Sequence, residues 1–109
     1  MFYELRIYKV IPSKMDELLK IWEKNYQDIS KYFQCLGIWT AINGDINSVY
    51  HLYYWKNFKE YEKKKSLFKK DMNEYIEKVK LMYLSQNSIM LKNTKITNDL
   101  NIKDFINYE

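Results

Sequence analysis

Apolar and polar residues alternate at the start of the chain. Over residues 2–10, Tyr3, Leu5 and Ile7 fall on one face, and Glu4, Arg6 and Tyr8 fall on the other. That period of two predicts a strand. Pro12 suits the first turn of a helix, where its missing N–H leaves no bond unmade. From Met15 the apolar positions run through Leu18, Leu19, Trp22, Tyr26, Ile29 and Phe33. This spacing predicts an amphipathic helix lasting to about Phe33, with Asp16, Glu17, Lys20, Glu23 and Lys24 on its solvated side. Gly37 opens a second strand over 37–43, and Asn43-Gly44-Asp45 reads as a turn into a third over 47–55, together a hairpin. Helical spacing returns over 57–83, with a break or bend expected near Lys70–Asn73. Residues 85–92 fit a last short strand.

The order is βαββαβ. In about 92 residues that is an α+β, ferredoxin-like arrangement: domain 1–92 with a polar tail over 93–109, where a short helix is expected at 101–107. Right-handed crossovers place strands one and three side by side in the centre, with both helices on one face of the sheet. The other face is then uncovered. In the third strand Val49, His51, Tyr53 and Trp55 share one face, and Tyr50, Leu52 and Tyr54 share the other. Neither face is freely hydrophilic, so burial argues for a second copy packed sheet to sheet, a homodimer with twofold symmetry, the alternative being that the C-terminal tail folds over that face.

Composition narrows the chemistry. The 109 residues include 18 basic and 14 acidic side chains and 11 Tyr, but one His, one Cys, one Pro and two Gly. Arg6 is the sole arginine. A single Cys excludes an internal disulfide framework and is compatible with a reducing cytoplasm. One His and one Cys cannot supply a zinc or blue-copper site from one chain without carboxylates, and no metal or cofactor is expected. Two glycines far apart from any phosphate-cradling pattern exclude the nucleotide fingerprints. The first strand is too charged for a signal peptide, and no apolar run would span a membrane. The net charge of +4 sits in 56–80, chiefly in Lys63-Lys64-Lys65 and Lys69-Lys70. Glu60, Glu62, Asp71, Glu74 and Glu77 are interleaved there, so the segment reads as a solvated helix face and not as a nucleic-acid or membrane surface.

Scarcity points to particular residues. His51 is the one side chain that titrates near neutrality unaided, and it is a candidate acid or base. Glu4 and Arg6 share a face of the first strand. Arg6 offers a forked donor for an oxyanion or carboxylate, and Glu4 is a candidate orienting partner or structural lock. Tyr3, Trp22, Trp39 and Trp55 are candidate walls of an apolar pocket for a flat organic ligand. Haem ligation by a mid-strand His51 fits poorly. Cys35 has no cation beside it in sequence to activate it.

Taken jointly, Tyr3-Glu4-Leu5-Arg6-x-Tyr8, Pro12-x-Lys14, Trp22-Glu23, Gly37-x-Trp39-Thr40, Gly44-x-x-Asn47, Val49-x-His51-Leu52 and Ser85-Gln86 resemble the NIPSNAP family over about 1–92. The resemblance implies the dimeric α+β barrel fold. It also implies a wider superfamily of cofactor-free monooxygenases, chlorite-dismutase-like haem proteins, and small isomerases and decarboxylases. Two departures stand out: the second helix lacks the family's Asp-Pro break, and 93–109 is extra. The function expected is a cytoplasmic homodimer that binds a hydrophobic aromatic or polyketide-like molecule. As an enzyme it would act without a cofactor, by proton transfer, cyclisation or oxygenation through His51, Arg6 and Glu4. The alternative is a non-catalytic module that docks a protein through the Lys-rich helix and the tail.

Overall fold

The computed structural model of the chain describes residues 1–98. The helix expected at 101–107 lies outside them. The elements are β1 (Phe2–Val10), a single 3-10 turn (Pro12–Lys14), α1 (Met15–Ile29), β2 (Gln34–Thr40), β3 (Ser48–Trp55), α2 (Phe58–Asp71), α3 (Asn73–Lys80), β4 (Tyr83–Leu91) and a one-turn α4 (Lys95–Asn98). The sheet runs β2-β3-β1-β4 and every pairing is antiparallel. β1 and β3 are thus central, as the crossover argument requires.

Element boundaries differ from the sequence reading, most of all at α1 and β2, while the break expected near Lys70–Asn73 is present. α1 stops at Ile29, four residues short of Phe33. The Ser30 hydroxyl donates to the Gln27 carbonyl (2.7 Å) and the Tyr32 N–H turns back to Ile29 (2.9 Å), local bonds that compete with helix propagation. Tyr32 and Phe33 are then free for tertiary work. Tyr32 donates to Asp71 of α2 at 2.8 Å, and the Phe33 ring packs on Tyr53, Trp55 and Phe68. β2 begins three residues early because a bulge at Leu36 carries Gln34 and Cys35 into register with β3. The long second helix breaks at Met72 into α2 and α3, without the proline that would normally impose a break. The β2–β3 connection turns at Gly44, whose φ of 69° favours glycine.

Cross-strand partners share a face, so the register assigns every sheet residue. Phe2, Glu4, Arg6, Tyr8 and Val10 of β1 face the helices with Val49, His51, Tyr53 and Trp55 of β3. Two cores form between this face and the helices. One gathers Tyr8, Val10, Leu18, Trp22, Val49, Val79 and Met82, and the other Phe2, Phe33, Tyr53 and Trp55. α2 buries none of its residues fully, so the sheet beneath it, between the two cores, is not filled by helix side chains. Among the described residues α1, α2 and α3 all pack on that side and leave the opposite face uncovered. Its central row reads Ile89, Leu5, Leu52 and Gly37 across the four strands, and the next holds Ile7, Tyr50 and Trp39.

Candidate functional site

The unfilled space between the two cores is a cavity of about 310 Å³, at the lower end of small-molecule sites. Its floor is the middle of the sheet, where Arg6 of β1 and His51 of β3 are direct cross-strand partners. Tyr8, Tyr53 and Trp22 wall the floor, Phe33 and Phe68 close one side, and Val79 the other. The exposed members of the lining are Tyr26 and Ser30 near the end of α1, Ile38 on the edge strand β2, and Lys69 on α2. Tyr26, Ser30 and Lys69 mark a mouth between the two helices.

His51 is 3% exposed. Its Nδ1 lies 2.7 Å from the Tyr53 hydroxyl, and its ring packs at 4.5 Å from Trp22 and 4.8 Å from Tyr8. Burial first, and the Arg6 charge second, push its pKa down to about 3, so the imidazole is neutral at physiological pH. Burial drives the Tyr53 phenol well above its ordinary range and takes Tyr8 up to about 12. Both hydroxyls therefore keep their protons. With the buried Tyr53 O–H as donor to His51 Nδ1, the tautomer that leaves neither group's proton stranded carries the imidazole proton on Nε2. Among the described residues neither His51 Nε2 nor Arg6 Nε has a hydrogen-bond partner, although both atoms are buried. Burial weakens the Arg6 charge, but its electron-rich neighbours Tyr8, Tyr53 and Glu4 outweigh that, and its pKa stands above the ordinary value. The guanidinium lies 5.5 Å from the Tyr8 ring centroid and 6.0 Å from that of Tyr53. The floor thus presents two unpaired N–H donors in an aromatic shell, an arrangement suited to holding an oxygen that is negative or becoming so.

The other expected site residues separate. Glu4 is 0% exposed and does not line the cavity. Its carboxyl accepts from Trp55 Nε1 at 3.2 Å and from the Ser88 hydroxyl at 3.0 Å, bridging β3 and β4 across β1. Trp55 is buried in the second core on the same face, behind the cavity wall. Tyr3 and Trp39 stand on the helix-free face and do not reach the cavity. Trp39 is 49% exposed, and its ring lies over Gly37, where a Cβ would meet it at 2.3 Å. Of the seven candidates the structure brings together Arg6, His51 and Trp22. Tyr8, Tyr53 and Lys65 join them without having been singled out from the sequence. The parity of Tyr8 with Arg6 and of Tyr53 with His51 was the available signal. Burial raises the Cys35 thiol, which keeps it protonated and disfavours a nucleophilic role.

Comparison with known proteins agrees with this architecture. The NIPSNAP family model matches residues 3–97. Human Protein NipSnap homolog 3A is 38% identical over 58 residues, which is 52% of this chain and 24% of that protein. The chain thus spans about a quarter of the length of the curated relatives it matches. Among solved structures, a NIPSNAP domain protein of Burkholderia xenovorans superposes with a TM-score of 0.82 at 22% identity, covering 87% of this chain and 96% of that one. An antibiotic biosynthesis monooxygenase superposes with a TM-score of 0.65 at 8% identity, covering 86% and 99%. These likenesses show the fold, an α+β ferredoxin-like βαββαβ unit. With its strand order, its split second helix and a family match over nearly all the described residues, the chain belongs to the NIPSNAP family.

Proposed function

We propose that the protein binds a flat, hydrophobic, aromatic or polyketide-like molecule in the cavity between sheet and helices, and acts on it without a cofactor. The observation that carries this reading is the pair of buried, unpartnered donors, Arg6 Nε and His51 Nε2, on the floor of an aromatic-walled cavity. Unsatisfied buried polar atoms are rare and destabilising, and they persist where a ligand completes them. An imidazole held neutral with its proton on Nε2 is a poor proton acceptor. His51 therefore serves as a donor beside Arg6, and the two stabilise charge developing on a substrate oxygen. That suits proton transfer or cyclisation in which solvent water at the mouth takes the substrate proton while Arg6 and His51 hold the enolate oxygen. It also suits oxygenation when molecular oxygen is the oxidant, the activity named for one structural neighbour. The single protonated thiol fits a reducing, cytoplasmic setting.

Binding of the neutral dye N-phenyl-1-naphthylamine, read by fluorescence, tests the site. Ser30→Trp places an indole at the exposed mouth and is expected to weaken binding about tenfold through steric exclusion, with Ser30→Ala, which loses only the bond to the Gln27 carbonyl, expected to bind as wild type does. Undiminished binding by this variant would place the dye elsewhere and remove the reading.

The partner in this proposal is a second copy of the chain on the helix-free face. The support is the apolar row Ile89, Leu5 and Leu52 at the middle of that face, with Trp39 laid flat beside it. In sedimentation, the wild type is expected at the mass of two chains and Leu5→Glu at the mass of one. A wild-type protein of single-chain mass would contradict the dimer.

A further inference from the structure

Charge is distributed unevenly around the cavity. Three of its lining residues are cationic, Arg6 on the floor and Lys65 and Lys69 toward the mouth, and among the described residues no Asp or Glu lines it. Among the described residues Arg6 forms no ion pair. The carboxyl nearest in its own strand, Glu4, is already engaged by Trp55 and Ser88. Lys65 is held in place by the Tyr61 hydroxyl (3.0 Å) and by its position 4.9 Å from the Tyr61 ring. A buried guanidinium without a carboxylate is expensive to maintain. The polar atoms left open on the floor are both donors, so a ligand with only donors to offer would leave them unpaired.

Building on the cavity as the binding site, we infer that its ligand is a hydrophobic organic acid, whose anionic group seats on Arg6 Nε and His51 Nε2 and which enters past Lys65 and Lys69. The aromatic walls take the body of the molecule, and the acid supplies the counter-charge that the chain itself withholds from Arg6. Because the Arg6 charge helps keep His51 neutral, an anion between them relieves both groups. Lys65 and Lys69, one helical turn apart on α2, form a positive rim that draws the acid in.

The test uses two dyes of the same hydrophobic body: 8-anilinonaphthalene-1-sulfonate, which carries an anion, and N-phenyl-1-naphthylamine, which does not. Wild-type protein is expected to bind the sulfonate about tenfold more tightly than the neutral dye, the scale of one charge-assisted contact. Arg6→Met is expected to abolish that preference, read as the ratio of the two affinities. Lys69→Met, at an exposed position that folding does not require, is expected to reduce it about threefold. Lys63→Met, which removes a charge outside the cavity, is expected to leave it unchanged. Equal binding of the two dyes by wild type, or an unchanged preference in both Arg6→Met and Lys69→Met, would overturn the acid while leaving the cavity as the binding site. Failure of both dyes to bind, or indifference of both to Ser30→Trp, would overturn the binding site as well.

Discussion

Glu4→Ala is expected to destabilise the fold by about 3 kcal/mol, while Glu4→Gln loses about 1 kcal/mol. The carboxyl is fully buried in the central strand and holds Trp55 from one neighbouring strand and Ser88 from the other. Alanine leaves the Trp55 N–H unsatisfied in the second core, opens a void among Phe2, Tyr53 and Trp55, and takes away a carboxyl that favours the Arg6 charge. Glutamine keeps the volume and one acceptor, and its amide can donate to the Ser88 hydroxyl instead. Urea unfolding at fixed chain concentration measures both variants. A loss below about 1 kcal/mol for alanine would show that the bridge is not structural. Because Glu4 lies outside the cavity lining, Glu4→Gln should bind the neutral dye as wild type does.

Acid should weaken the protein well before its carboxylates titrate. His51 has a folded pKa of about 3 against an ordinary value of 6.5. Below about pH 6.5 the unfolded chain takes up a proton that the folded chain refuses. The stability due to neutral His51 is fully present above that pH. It falls by about 1.4 kcal/mol per unit as pH drops toward the folded value, about 2 kcal/mol by pH 5. His51→Asn keeps an acceptor for the Tyr53 hydroxyl and has no proton to gain. Its unfolding free energy is expected to stay flat between pH 7 and 5 while the wild type declines. Parallel curves for the two proteins would contradict the burial of a neutral imidazole.

Parity in the two central strands made the floor of the site readable. Arg6 and His51 each share a face with aromatic residues, and the antiparallel register then sets them side by side. The same parity placed Tyr3 opposite Arg6, so counting alone separates Tyr3 from the floor. Aromatic size, which suits a dimer face as well as a pocket wall, is what made it a candidate. Trp39 was not decidable in this way, because the 41–47 connection is longer than a two-residue hairpin turn and leaves the register of β2 on β3 open. The Lys run shows a different limit. Interleaved acids made α2 look like a solvated surface, and most of it is. The halt of α1 at Ile29 and the break at Met72 nevertheless leave Lys65 and Lys69 over an opening. Such helix placement depends on tertiary contacts of Tyr32 and Phe33 that no spacing rule encodes.

A neutral His51 whose Nε2–H faces a ligand cavity is the centre of the site, and nitrogen-15 NMR of the chain's single imidazole reads that state directly. From about pH 8 to pH 5 the spectrum should hold the Nε2–H tautomer without titrating. Addition of 8-anilinonaphthalene-1-sulfonate should move the Nε2 signal and the Trp22 indole while the Trp39 indole stays in place. An imidazole that titrates near its ordinary value, carries its proton on Nδ1, or ignores a dye that shifts Trp39 would contradict it.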